Sequence, residues 1–389
     1  MIAYDKNRLT HYFMRQQIKS FSSSGLWSAQ EEGKWKEGLQ PHYMPTPLFL
    51  RIGIFILTLL VLSFSMGFFG ALFFEVLGDD DSIGILLALG GLASLLMAKK
   101  YAIESRNQFA TGMDDAFIYT GLSLFCIGVL VHFQQDSDWS SANIALFLSI
   151  CSGVVAYYFV DRLLTVFTVL GLAAYVFFTL TQLGSSFLAF IPFLIGGYAG
   201  LVLYGYKKIK DLPQGYCWAS CLQWGNYTAM LLLYASLQYY LLMELHIQLA
   251  LADGNTPGPL PFAYVFLAIT FLLPLAYMVY GYRKKLPHWL YIGFLLEVIS
   301  LICLHYYAAP WELYWSLIGG GVILIAIGYG VWRYFAQERN GFVVKEEEKT
   351  LNANIEMGAN MEQMPERPSN TGFEFGGGHM GGGGSGGDF

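Results

Sequence analysis

The chain has 389 residues and a formal net charge of −6; 55% of its residues are hydrophobic, 17% aromatic and only 13% charged. That is far more apolar surface than a water-soluble domain of this length can hide, so a soluble globular fold is excluded and a polytopic membrane protein is expected, with the lipid bilayer as its partner. No basic patch points to nucleic acid, and five scattered cysteines make no disulfide framework.

Residues 1–46 are mostly polar and predict a cytosolic helical segment, with helices over 5–19 and 28–39 separated by the breaker Phe-Ser-Ser-Ser-Gly at 21–25. Ser28 and Glu31 stand at the spacing of a capping box, in which each side chain satisfies the other's backbone N–H. Nothing in this stretch reads as a charged n-region followed by a short apolar core, so no cleavable signal peptide is expected and the first span serves as its own signal. Pro41, Pro45 and Pro47 remove backbone donors and favour extended chain leading into the membrane.

A bundle follows over 47–336, with ten candidate spans at 52–74, 83–98, 116–133, 142–160, 163–180, 187–204, 227–249, 262–280, 289–307 and 313–335. Under this division all 22 Lys and Arg fall on one side, in the two termini and the even-numbered loops. The opposite loops hold Glu75, Asp79, Asp80, Asp81, Asp136, Asp138, Asp253 and Glu312 and are short. Both termini are therefore expected in the cytoplasm. Trp139, Trp311 and Trp315 sit at the height of an outer aromatic belt, and Trp289 and Trp332 at an inner one. Gly196 with Gly200, Gly84 with Ala88, and the glycines at 319, 320, 321 and 328 give small faces on which helices can approach closely. The remaining 337–389 are polar and glycine-rich, a composition that cannot bury enough apolar surface to offset its ordering entropy, and disorder is expected.

The stretch 289–307 is long enough to cross a bilayer and carries Glu297 near its middle. Eight residues of helix put that carboxylate about 12 Å into the hydrocarbon, where a charge costs at least about 2.5 kcal/mol on insertion scales. Its candidate companions are His305 on the same helix, Glu244 and His246 on the seventh span and His132 at the outer end of the third. Ser236, Tyr240, Glu244 and Gln248 recur every four residues and predict one polar face of a continuous helix. Two readings follow: a proton or ion pathway, or a protonated acid acting as interhelical glue. No pair has metal-ligand spacing, so no metal is expected.

Asp114 and Asp115 open the third span, and Asp115, Tyr119, Ser123 and Cys126 share a helical face. They suit either a cation or substrate at the cytoplasmic mouth, or the plain role of carboxylates complementing a helix dipole, with Arg106 as a candidate ion-pair partner. Asp161 and Arg162 read as a helix cap and a positive-inside anchor. Cys217 and Cys221 lie one helical turn apart without the further ligands of a metal site and read as structural thiols. Pro192 and Pro274 permit kinks inside spans six and eight. No Walker loop, nucleophile elbow, His-Glu-x-x-His or dinucleotide fingerprint occurs, so neither a cofactor nor an enzyme is expected.

The opening Gly-Leu-Trp-Ser-Ala-Gln-Glu-Glu-Gly-Lys-Trp-Lys-Glu-Gly-Leu at 25–39, together with Arg-Asn-Gln-Phe-Ala-Thr-Gly-Met-Asp-Asp-Ala-Phe-Ile-Tyr-Thr-Gly at 106–121, resembles a family of uncharacterised bacterial polytopic membrane proteins, a domain of unknown function. The resemblance implies a bacterial cytoplasmic membrane and carries over no activity. The expectation is an all-α bundle of about ten spans with a transport-like role, in which Glu297, Glu244, His305, His246 and Asp115 serve a small-molecule, ion or proton pathway. The alternative is a scaffold or sensor subunit recruiting partners through its cytosolic ends.

Overall fold

In the computed structural model the described residues are 2–23, 46–73, 80–134, 139–182, 190–209, 217–252 and 254–308 apart from 255 and 257, with isolated positions between 33 and 43 and between 314 and 333. The predicted helix at 28–39, most of the tenth span and the tail at 337–389 lie outside them. Two units are present, Met1–Tyr307 and Ala308–Phe389; in the second, the described positions from 314 to 333 are helical.

All regular structure among the described residues is helical. The first unit runs through α1 (Lys6–Ser23), α2 (Leu48–Phe73), α3 (Asp80–Met97), a π-helical continuation of α3 (Ala98–Ser105), α4 (Met113–Gln134), α5 (Ser141–Phe159), α6 (Arg162–Gln182), α7 (Ile191–Ile209), α8 (Ala219–Leu237), α9 (Tyr239–Ala252), α10 (Ala263–Lys284) and α11 (Pro287–Ala308). Hydrocarbon offers backbone groups no partner, and helices satisfy them within the segment. Seven helices are long and apolar enough to cross a membrane, and α8 with α9 makes an eighth if the pair is one broken span. The protein is a multi-pass membrane protein. The sixth expected span is α7, whose last turn carries Lys207 and Lys208 and which falls outside that apolar set.

The first helix runs on into the expected breaker as far as Ser23, and the largest boundary differences from the sequence reading are in spans two and seven. The second span does not end at residue 98: its backbone continues as a π-helix to Ser105, keeping Ala98, Ala102 and Ile103 buried. The seventh span begins at Ala219 rather than at 227, so Cys221 belongs to a helix, and it breaks at Gln238, where α8 and α9 meet at 62°. Ser236 and Tyr240 therefore lie on different helices, and the expected continuous polar stripe does not form.

The most extensive packing is between α3 and α4. A Cβ added at Gly84 would sit 2.9 Å from the Gly128 carbonyl oxygen, one at Gly121 would sit 2.9 Å from that of Gly91, and one at Gly91 would sit 2.6 Å from that of Gly121. Hydrogen side chains on both helices bring the backbones together, as the Gly84 and Ala88 spacing predicts. Next come α5 with α6 and α7 with α8, and α6 lies against α8. Ser152 and Thr168 pair at 3.2 Å across α5 and α6.

The N-terminal helix is part of this body. Leu9 is fully buried, Tyr4 and Phe13 nearly so, and all three pack with Tyr43, Phe109, Phe159 and Cys217 in one cluster. Tyr4, Tyr12, Phe13 and Tyr43 surround the Phe109 ring at centroid distances of 5.0 to 6.0 Å. The Ala3 amide donates to the Tyr158 carbonyl at 2.9 Å, and Arg8 to the Asn107 side chain. The segment closes the end of the bundle where Lys99, Lys100, Arg106 and Arg162 cluster, here called the basic end.

Gly91→Ala should lower the thermal midpoint of the detergent-solubilised protein by an amount equivalent to about 1–3 kcal/mol of overpacking. Gly200→Ala, where nothing lies within 4 Å of the added carbon, should leave it unchanged or raise it. Equal midpoints for the two variants would contradict the close α3–α4 approach.

Candidate functional site

Polar side chains gather in two places. The first is a cavity of about 490 Å³ at the basic end, whose lining includes Arg51, Asp114, Asp115, Tyr119, Asp161 and Arg162.

The adjacent acids at its edge do different work. Asp114 is buried and holds the loop before α4: its carboxylate accepts from the Ala110 amide at 2.7 Å, the Thr111 amide at 2.9 Å and the Thr111 hydroxyl at 2.9 Å. That loop passes through left-handed backbone at Asn107, Ala110 and Gly112. Gly112, at φ 96°, also leaves no room for a Cβ against the Arg51 carbonyl, so glycine is required there on both counts. The Tyr4 hydroxyl reaches the same carboxylate from the bend before α1 at 3.4 Å. Burial, followed by the charges of Asp114, Asp115 and Asp161, pushes the Tyr4 hydroxyl well above its ordinary range, so it stays a protonated donor.

Asp115 is the ion-paired member. Arg51, four residues into the first span's lead from Pro47, donates to its Oδ2 through Nε at 2.8 Å and Nη2 at 2.7 Å. The expected partner Arg106 instead lies over the Tyr101 ring, 4.8 Å from its centre. The helical spacing of Asp115 and Tyr119 does place them together: one turn on, the Tyr119 hydroxyl donates to Asp161 Oδ2 at 2.9 Å. Asp161 Oδ1 accepts the Leu164 amide at 2.8 Å, which makes it the cap of α6 as its position suggests. Burial pushes the Asp161 carboxyl up, and the Leu164 and Tyr119 hydrogen bonds work against it.

The second gathering is at the broken span. Gln238 is extended, with ψ 123°, so the helical ladder stops there. The next amide, that of Tyr239, donates to Thr270 Oγ1 on α10 at 2.9 Å. Pro274, one turn along α10, has no N–H for the Thr270 carbonyl, and Ser300 Oγ on α11 donates to that carbonyl at 3.0 Å. The Tyr234 hydroxyl lies 2.7 Å from Ser300 Oγ, and Gln238 Nε2 lies 3.2 Å from Cys303 Sγ. Thr270 and Ser300 thus answer the groups that the break and the proline leave without helical partners.

Glu297 belongs to this second cluster. It is half-buried on α11, within electrostatic reach of the Tyr234 hydroxyl, and its Oε2 is buried with no hydrogen-bond partner among the described residues. Glu244 is exposed on α9, where Gln248 Nε2 donates to its Oε1 at 2.8 Å. His246 Nε2 lies 3.2 Å from the Gly258 carbonyl oxygen. His305 is half-buried near the end of α11, and His132 stacks edge-on to Phe133 at 5.1 Å. Asp115 and Glu297 lie in separate clusters. Among the described residues no grouping of three or more His, Cys, Asp and Glu side chains could hold a metal.

Sequence reading missed Arg51, Tyr4 and Thr270 as parts of these sites. Arg51 reads in the sequence only as one more positive-inside residue, and Tyr4 and Thr270 carried no signal.

Arg51→Gln leaves a buried carboxylate without its counter-charge and should cost about 2 kcal/mol, read as a lower thermal midpoint. Arg51→Gln with Asp115→Asn should recover a large part of that loss. A double variant no better than the single one would mean that Asp115 does not need the charge.

Compared with family models, curated proteins and solved structures, the chain has no match.

Proposed function

We propose that the protein is a multi-pass carrier moving a small solute or ion across a bacterial cytoplasmic membrane, with ten spans, both termini inside, and a buried carboxylate coupling the movement to a proton or ion. Membership of the uncharacterised bacterial family suggested by the stretches at 25–39 and 106–121 is part of this proposal. The observation that carries it is the Oε2 of Glu297, buried and without a hydrogen-bond partner among the described residues, in the cluster at the broken span. An unpaired acid within a span is costly unless it is neutral or answered by a visiting cation, and broken helices at such a depth mark the binding regions of carriers. Asp115, with Arg51, would form the cytoplasmic mouth of the same path.

A second reading has its own support. Docking of α1 through Tyr4, Leu9 and Phe13 gives the basic end a built surface, which suits a scaffold or sensor subunit presenting that end to a partner.

Glu297→Gln keeps the shape and removes titration. In proteoliposomes carrying a proton gradient and a pH-sensitive dye, the wild type should dissipate the gradient on addition of its solute, and the Gln variant should fold with an unchanged thermal midpoint and lose that coupling. Coupling that survives the substitution would remove Glu297 from the mechanism. Topology is tested separately: single cysteines placed at Asp80 and Gly254 should react with an impermeant reagent from outside, and one at Lys208 only from inside. Outside labelling at Lys208 would overturn the ten-span arrangement.

A further inference from the structure

A further cavity adjoins the charged one. It has a volume of about 860 Å³, lies between α4, α5 and α6, and is walled by carbon apart from a few hydroxyls. Its buried hydroxyls are already engaged: Ser149 Oγ donates to the Ala145 carbonyl at 2.8 Å and Ser152 Oγ to the Ser149 carbonyl at 3.0 Å. The polar groups left on its wall are few, chiefly the Ser123 and Ser141 hydroxyls. Along α6 the wall runs from Leu163 to Phe178, 15 residues and therefore about 22 Å of helix. That is the length scale of one extended acyl chain. Leu148, Leu163, Phe167 and Leu170 on its rim are exposed to the surroundings of the bundle, so a chain can enter sideways from the bilayer.

Tyr119 and Leu163 line both this chamber and the charged cavity at the basic end. The residue before Leu163 is Arg162, which lines the charged cavity and is exposed. Arg51 and Asp115 neutralise each other, while Asp114 and Asp161 are turned inward onto the loop amides, the Leu164 amide and the Tyr119 hydroxyl. Among the described residues Arg162 has no ion-pair partner and is the exposed one of these groups, so the charge presented at the mouth of the chamber is a guanidinium.

We propose that the two cavities form one binding site for an anionic phospholipid, with its phosphate on the Arg162 guanidinium and one acyl chain along α6 in the chamber. A planar fork of donors suits a phosphate, and an amphiphile is the one chemical class that uses a charged mouth and a dry interior at once. The site stands on cavity geometry and is independent of any coupling role for Glu297.

The test is native mass spectrometry of the delipidated full-length protein titrated with phosphatidylglycerol, with phosphatidylcholine of the same chains, and with glycerol phosphate as a headgroup without a tail. The wild type should retain one phosphatidylglycerol about tenfold more tightly than phosphatidylcholine, a ratio of the size expected from one charge-assisted contact, and should not bind glycerol phosphate. Arg162→Gln should abolish the preference while leaving phosphatidylcholine retention as it was. Ala174→Trp, which fills the chamber far from Arg162, should weaken both lipids together. Thermal midpoints identify any variant that fails to fold, and for such a variant Leu148→Trp at the rim takes its place. Equal retention of the two lipids by wild type, a preference that survives Arg162→Gln, retention untouched by filling the chamber, or binding of glycerol phosphate alone would each overturn the proposal.

Discussion

A backbone amide in hydrocarbon has no water to turn to, and in this protein that constraint is met by side chains from neighbouring helices wherever the helical ladder is interrupted. Gln238 stops the ladder of one span and Pro274 removes a donor from another. The two defects face each other, so Thr270 supplies an acceptor to the Tyr239 amide while Ser300 supplies a donor to the Thr270 carbonyl. Without Thr270 or Ser300 a polar group would be stranded at a cost of several kcal/mol. Because α8, α9, α10 and α11 must keep their register for this exchange to work, the broken span fixes the arrangement of the whole second half of the bundle, Glu297 included.

The basic end is organised by a different constraint. Lipid exerts no hydrophobic drive between helices, so the helices meet where backbones come close or where polar groups pair. The glycines of α3 and α4 supply the first kind of contact, and Asp114, Asp115 and Asp161 the second. Adjacent carboxylates separate in role because their partners differ: Asp114 meets backbone amides that no other group could satisfy, while Asp115 meets a guanidinium from another helix. A pair of acids at the start of a span is thus one structural tie and one charged contact.

Helical class and membrane character were legible in the sequence, because a span is written in the length of its apolar run. The Asp115 and Tyr119 face was legible too, since helical period alone sets it. Three features were not. The break at Gln238 carries no glycine or proline and depends on Thr270, 32 residues away in sequence, to make it tolerable. The docking of α1 depends on Leu9 and Phe13 meeting Phe109, a contact that no local pattern encodes. Arg51 is one of the 22 basic residues expected on the cytoplasmic side, where a cation beside a Pro-rich lead is indistinguishable from any positive-inside residue until its partner is seen.

That last residue also bears on how the first span is held. In α2 no residue of the apolar window Leu48–Leu72 is fully buried, and one face, at Ile54, Phe55, Thr58, Leu62 and Met66, is partly covered. Its contacts include the Met66 side chain over Gly90, Leu62 against the core cluster, the Phe55 ring against Tyr119 at 6.1 Å, the Arg51 carbonyl closed upon by Gly112, and the Arg51–Asp115 pair. The last three sit at the basic end and two of them involve Arg51 itself. The Arg51–Asp115 pair consequently ties the start of the first span to α4 at the end where the chamber and the charged cavity share Tyr119.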